Sequence, residues 1–286
     1  MAYRLSTLAD GRTVLLDDGL LEGESARWWD LDRLSGGRLV DPLDALADAA
    51  ALDALTDGVG VPHGEPDGEV SLAGLGPSVP QPRQVFGIGM NFVAHIQEMG
   101  RNAPAIPVIF TKWPSCLAGP GADVVVVGDR TDYEVELVAV IGRTCRNLDP
   151  SEAWGVLAGV AVGQDFSDRA LQLASEPPQF SLGKSHPGFG PLGPVTSVDL
   201  VDDPTDLKLH CSIDGDMRQD SHTGLMILGV PDLISYLSTV VTLLPGDLVF
   251  TGTPAGVGDP QGRCLEVGQL VESEIPGVGR LANLCV

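Results

Sequence analysis

Two glutamates two positions apart inside an apolar run are the first feature of this 286-residue chain that points to chemistry. They lie in Asp132-Tyr133-Glu134-Val135-Glu136-Leu137-Val138-Ala139-Val140-Ile141-Gly142, where the period of two along a strand puts Glu134 and Glu136 on one face. Like charges side by side in a buried strand repel each other and lose hydration. A compensating cation is the simplest remedy, and the hard ions Mg²⁺, Mn²⁺ and Ca²⁺ take oxygen donors. Asp165 follows another apolar run, Ala158–Val162. A third carboxylate at a strand end would complete a facial set of oxygen ligands, with water and substrate filling the octahedron.

Three more pieces could act beside such a centre. His95 and Glu98 stand three apart in Gly89-Met90-Asn91-Phe92-Val93-Ala94-His95-Ile96-Gln97-Glu98, and on a helix they share a face and can hydrogen-bond. A carboxylate next to an imidazole raises its basicity and fixes its tautomer, which suits a general base acting on water. Lys184 sits between glycine and proline turns in Gly183-Lys184-Ser185-His186-Pro187-Gly188, where its ammonium can be aimed at an anionic intermediate. The hydroxyls and amides of Thr251-Gly252-Thr253-Pro254 could hold a carboxylate. Singly, each has a plainer reading: a turn or N-cap for Asp165, a surface pair for His95 and Glu98, an exposed lysine, an ordinary turn. Gly183-Lys184-Ser185 is no phosphate loop, because Pro178 stands where that motif needs glycine. Gly87-Ile88-Gly89 is no dinucleotide fingerprint, because Phe92 replaces its third glycine.

The elements that must position these residues are mostly strands. Strand candidates are Thr13–Leu16, Gln84–Ile88, Glu134–Ile141, Ala158–Val162, Leu207–Ile213, Asp247–Phe250 and Leu270–Ile275, with Val124–Val127 expected as a buried strand covered on both sides. Asp41–Asp57 reads as one helix, Ser151–Leu157 as a helix capped by its serine, and Val230–Thr242 as an amphipathic helix. Residues 62–82 are dense in Gly and Pro and read as a connecting loop. The expected organisation is α+β and β-rich: a small N-terminal α/β domain over residues 1–80 and a rolled or barrel-like domain over 81–286.

Composition narrows the partners. A 43% hydrophobic and 20% charged chain can bury a real core. A net charge of −22, from 39 acidic against 17 basic residues, argues against nucleic acid and anionic membranes. No apolar run approaches the roughly 20 residues of a membrane-spanning helix, and the N-terminus does not read as a secretory signal. The five scattered cysteines include no C-x-x-C and fit free thiols in a reducing cytoplasm.

Taken together, the motifs resemble the fumarylacetoacetate hydrolase family. Its pattern N-Y-x-x-H-x-x-E, D-Y-E-x-E-L, N-D-x-S-A-R-D-x-Q, G-K-S, P-G-D-x-I-x-T-G-T-P-x-G-V-G is met by Asn91–Glu98, Asp132–Leu137, Gln164–Gln172, Gly183–Ser185 and Pro245–Gly258. The resemblance covers about residues 83–286. It implies a mixed β-roll, a homodimer, and Mg²⁺ or Mn²⁺ on Glu134, Glu136 and Asp165, a site that Ca²⁺ can fill in crystals. It assigns His95 and Glu98 to water activation and Lys184 to the developing anion, with Arg169, Gln172 and Thr253 on the substrate. The implied reaction is hydrolysis of a C–C bond in a 1,3-dicarbonyl acid such as an acylpyruvate or fumarylpyruvate, with a metal-stabilised enolate. Decarboxylation, isomerisation or sugar-acid dehydration by the same chemistry is the alternative. The chain departs from the pattern at Phe92 for tyrosine, Gln164 for asparagine, Asp168 for alanine and Ala170 for aspartate. Asp168 would add negative charge near an anionic substrate.

Overall fold

The computed structural model describes residues 1–286, the side chain of Glu22 excepted. Its backbone is a mixed eleven-stranded sheet, read from one edge as Gly68–Ser71, Ser25–Asp30, Thr13–Leu16, Arg4–Leu8, Val195–Thr196, Leu157–Gln164, Val135–Ile141, Leu248–Phe250, Val85–Gly89 and Val108–Thr111, with Leu75–Gly76 also paired to Arg4–Leu8. Leu248–Phe250 and Val85–Gly89 run parallel, while Val135–Ile141 pairs antiparallel with both of its neighbours. The sheet passes unbroken from the N-terminal strands into the rest, with Arg4 opposite Thr196 and Leu5 opposite Val195. A second, four-stranded antiparallel sheet holds Asp216–His222, Lys208–Ile213, Leu270–Ile275 and Gly279–Leu284 in that order. The protein is thus α+β and β-rich.

Strand Val135–Ile141 shows why the sequence folds this way. Val135, Leu137, Ala139 and Ile141 pack with Leu209, Cys211, Ile213 and Val271 of the second sheet. Val138 and Val140 point the other way, into a core with Leu46 and Leu52. Each fully buried aliphatic side chain contributes about 1.5–3 kcal/mol, which fixes the register. Glu134 and Glu136 share the parity of Val138 and Val140, so the same alternation puts both carboxylates at one strand end on one face. Helix Val230–Val240 lays Leu233, Ile234 and Leu237 in the core alongside Ala153 and Val156 of the 3₁₀ segment Pro150–Val156.

Several elements differ from the sequence reading. Asp41–Asp57 is not one helix but two, Pro42–Ala47 and Ala49–Asp53. Asp48 leaves helical geometry (φ −119°, ψ 63°) and turns its carboxylate to the Ala51 N–H, the competition with helix that aspartate offers its own backbone. The 62–82 stretch is not all loop: Gly68–Ser71 pairs with Ser25–Trp28, and Leu75–Gly76 pairs with Thr7–Leu8. Val124–Val127 is no buried strand. Only Val124 bridges to Cys285, and Val125 is 54% exposed. The segment expected as Ser151–Leu157 starts one residue earlier, capped by Asp149 in a reciprocal box with Glu152 rather than by Ser151.

Candidate active site

Two adjacent strand ends build the acidic centre. Val135 lies opposite Gln164 and Glu136 opposite Gly163, and the Asp165 N–H donates to the Glu134 carbonyl at 2.9 Å. Glu134, Glu136 and Asp165 are all buried and offer oxygens within 4.8 Å of one another. Gln164 pins the junction: its Oε1 accepts from the Glu134 N–H at 2.8 Å, and its Nε2 donates to Ser273 Oγ at 2.8 Å. The longer side chain that departs from the family's asparagine therefore ties the centre to the second sheet. Glu136 Oε2 accepts the Gly252 N–H at 2.8 Å.

Three buried cations surround the carboxylates, and they are unevenly shared. Lys184 Nζ donates at 2.6 Å to both Glu134 Oε2 and Asp165 Oδ2. Arg169 reaches Glu134 Oε1 at 2.6 Å through Nη2 and Asp132 Oδ2 at 2.8 Å through Nε. Lys112, fully buried, holds Asp165 Oδ1 at 2.7 Å. Burial alone would raise Glu134, but Lys184 and Arg169 outweigh it and hold its carboxyl well below the usual range. Burial works against the charged forms of Lys184 and Arg169 too, and the facing carboxylates keep both above their ordinary values. Glu136 has no cation within ion-pair distance among the described residues. Burial, then the charges of Asp165 and Glu134, push it well above the carboxylate range. Three converging oxygen donors with one carboxyl short of positive charge fit a hard divalent cation, which would ionise Glu136 and complete its balance.

The His-Glu pair approaches from the other side. Helix Val93–Glu98 carries buried His95 into the pocket that Glu134, Glu136, Arg169 and Lys184 line. The expected His95–Glu98 hydrogen bond is not formed: Nδ1 and Oε2 stand 3.6 Å apart, within ion-pair distance, and Nδ1 has no hydrogen-bond partner among the described residues. Glu98 is anchored instead by the Gly256 N–H at 3.1–3.2 Å and Gln261 Nε2 at 2.9 Å. Gly256 alone suits that turn, since its φ is +107° and a Cβ there would lie 2.1 Å from the Arg218 carbonyl oxygen. Burial would raise Glu98, but His95, Gln261 and Gly256 together leave it below its ordinary value.

The remaining expected residues all reach the pocket, with one change of detail. Gln172 Oε1 accepts from Arg169 Nη1 at 3.0 Å, which leaves its amide NH₂ for a ligand. Thr253 lines the pocket, but its hydroxyl donates to the Val135 carbonyl at 2.9 Å and accepts from Gln219 Nε2 at 2.8 Å. It has no proton left to donate to a substrate. Asp168 is not aimed at the centre: it caps the Leu171 N–H at 3.0 Å and meets His186 Nε2 at 3.2 Å. Phe110 and Phe180, edge to face at 5.7 Å, form the apolar wall. Gly87 makes room for them, because a Cβ there would sit 2.2 Å from Phe110 Cζ.

Sequence reasoning missed Lys112 and the organising roles of Gln219 and Asp132. Asp132 accepts the N–H groups of Tyr133, Gly258 and Asp259 as well as Arg169 Nε. It thus holds the Arg169 guanidinium and the loop that anchors Glu98. The signal for Asp132 was available, since it adjoins the carboxylate pair in a run that otherwise buries apolar groups. Gln219 lies in Arg218–Ile227, a further stretch that resembles the family, but its role was not legible there; Lys112 carried no signal, because its partners lie far away in the chain.

Comparison with known proteins agrees with this architecture. The chain belongs to the fumarylacetoacetate hydrolase family: the model of that family's C-terminal domain matches residues 84–286. An HpcE-like protein of Mycobacterium smegmatis has a crystal structure that superposes with a TM-score of 0.89 at 41% identity, covering 99% of each chain. Maleylpyruvate hydrolase of a Sphingobium species is 28% identical over 99% of both chains, with a TM-score of 0.77. 5-Carboxymethyl-2-hydroxymuconate delta-isomerase of M. smegmatis is 29% identical, covering 100% of this chain and 98% of its own, with a TM-score of 0.73. The scaffold therefore serves more than one reaction, and the chemistry of this chain must be argued from its own site.

Proposed function

We propose that this enzyme is a divalent-metal-dependent hydrolase that cleaves a C–C bond in a 1,3-dicarbonyl acid of the acylpyruvate or fumarylpyruvate type. The observation that carries the reading is His95: a buried imidazole whose Nδ1 faces Glu98 Oε2 at 3.6 Å, in the pocket lined by Glu134, Glu136 and the buried cations Arg169 and Lys184. Glu134, Glu136 and Asp165 would hold Mg²⁺ or Mn²⁺, which supplies Lewis acidity toward the oxo and carboxylate oxygens of the substrate. Arg169, Lys184 and the free amide of Gln172 bind and orient the acid. His95 takes a proton from water, and the hydroxide oxygen bonds to the distal acyl carbon. The bond from that carbon to the methylene breaks and its electron pair enters the pyruvate enolate, whose charge Lys184 and Arg169 offset. The proton held on His95 then goes to the methylene carbon, giving pyruvate and a carboxylic acid. The oxo-acid substrate, a homodimeric assembly and a cytoplasmic setting belong to the same proposal. The relation to maleylpyruvate hydrolase supports the hydrolytic branch, though an isomerase is about equally similar.

Metal-free protein incubated with acetylpyruvate, with and without Mg²⁺ or Mn²⁺, tests this by proton NMR. Metal-dependent appearance of pyruvate and acetate is expected. Unchanged acetylpyruvate in metal-loaded protein overturns the hydrolase assignment and leaves decarboxylation, isomerisation or dehydration.

A further inference from the structure

Lys112 is a fully buried lysine that the proposed reaction does not use. It follows the edge strand Val108–Thr111, and its ammonium ends inside the acidic centre. All its donors are engaged: Asp165 Oδ1 at 2.7 Å, the Phe189 carbonyl at 3.2 Å, and the carbonyl of Lys184 itself. The contacts on either side tighten the same junction. The Thr111 N–H donates to Ser181 Oγ at 3.2 Å and the Trp113 N–H to Ser185 Oγ at 3.0 Å. The edge strand therefore grips the Lys184 segment at three successive residues, and Lys112 is the one whose side chain goes on to the carboxylates. Its stem needs Gly190, where a Cβ would lie 3.3 Å from Lys112 Cε and 3.0 Å from Cys116 Sγ. A charge placed this deep is held by its partners or not at all.

We infer that Lys112 is a positioning residue for the metal centre: it occupies Oδ1 of Asp165 so that Oδ2 faces Glu134 and Glu136, and through the Lys184 carbonyl it sets where the Lys184 side chain departs. Asp165 then acts as a one-oxygen donor of fixed direction, and Lys184 is aimed by the same ammonium. This rests on the reading of Glu134, Glu136 and Asp165 as metal ligands. Outer partners that orient a ligating carboxylate govern affinity as well as rate, so the role shows in metal binding without any turnover.

The test is calorimetric titration of the metal-free protein with Mn²⁺ at a temperature far below its unfolding, comparing wild type with Lys112→Met. Mn²⁺ affinity should fall roughly 10–100-fold in the variant while its circular dichroism stays native. Lys112→Gln keeps a donor for the carbonyls without the charge, and carries the same measurement if the methionine variant does not fold. Unchanged or tighter Mn²⁺ binding in a folded variant overturns the inference. Loss of fold in both variants also overturns it, by assigning Lys112 to the core alone. Wild type that fails to bind Mn²⁺ is a separate result and sinks the metal reading itself.

Discussion

The two sides of the pocket are held in different ways. On one side, Glu134 and Asp165 are locked by buried ion pairs to Lys112, Lys184 and Arg169, with Asp132 behind the arginine. On the other, His95 rides a six-residue helix whose acid is tied to the body by the Gly256 N–H and Gln261, and the imidazole Nδ1 only faces that acid at 3.6 Å without a hydrogen bond. Carboxylates that must gather around one cation have to be preorganised, because their mutual repulsion would otherwise drive them apart. A base that meets water and substrate in turn needs an open nitrogen and can tolerate a lighter anchor. The acidic side should therefore fail in binding and stability, and the imidazole side in rate.

The largest effect is expected at the ligands. Asp165→Asn or Glu136→Gln should weaken Mn²⁺ binding by more than the roughly 10–100-fold typical of an outer partner, measured by titration of metal-free protein. Retained affinity would mean the acidic side is not a metal centre. Next comes Asp132→Ala, which removes one partner of a buried pair and leaves Arg169 with Glu134 as its one carboxylate partner. Metal-free protein should lose roughly 3–5 kcal/mol by urea unfolding. A smaller, pH-dependent change is expected from Glu98→Gln. Because the folded carboxyl of Glu98 lies below its ordinary value, its contribution to stability is present above the unfolded pKa of about 4.3 and is lost as pH falls through the folded value. The variant should lose stability at neutral pH and little in acid, so a melting-temperature difference that does not shrink on acidification contradicts the anchoring role. The smallest effect belongs to Gln261→Ala, an exposed residue at the end of that anchor, with a change within about 0.5 kcal/mol.

The same division decides what could be read in the sequence. Glu134 and Glu136 were legible because strand alternation is local: two residues of spacing and an apolar run suffice. His95 and Glu98 were legible as neighbours on a helix, but their hydrogen bond was not, because Gly256 and Gln261 compete for Glu98 from 158 and 163 residues away. Lys112 was invisible for a like reason, with Asp165 and Lys184 lying 53 and 72 residues off. A lone lysine after a strand reads as a solvent-exposed charge unless the fold is known. The fold itself followed strand periodicity well and failed where side chains compete with the backbone. Asp48 split one expected helix, and Val124–Val127 pairs its backbone only with the last residues of the chain, Leu284–Val286, on one side and leaves Val125 exposed, so the β-branched run forms a single bridge rather than a buried strand.

The most direct test of the division is His95→Ala, measured for Mn²⁺ affinity and acetylpyruvate turnover on the same preparation. A general base contributes roughly 10²–10⁴-fold, so turnover should fall by at least that lower bound while Mn²⁺ affinity stays close to wild type. A matching fall in both would contradict the account, because His95 would then belong to the metal centre rather than to water activation.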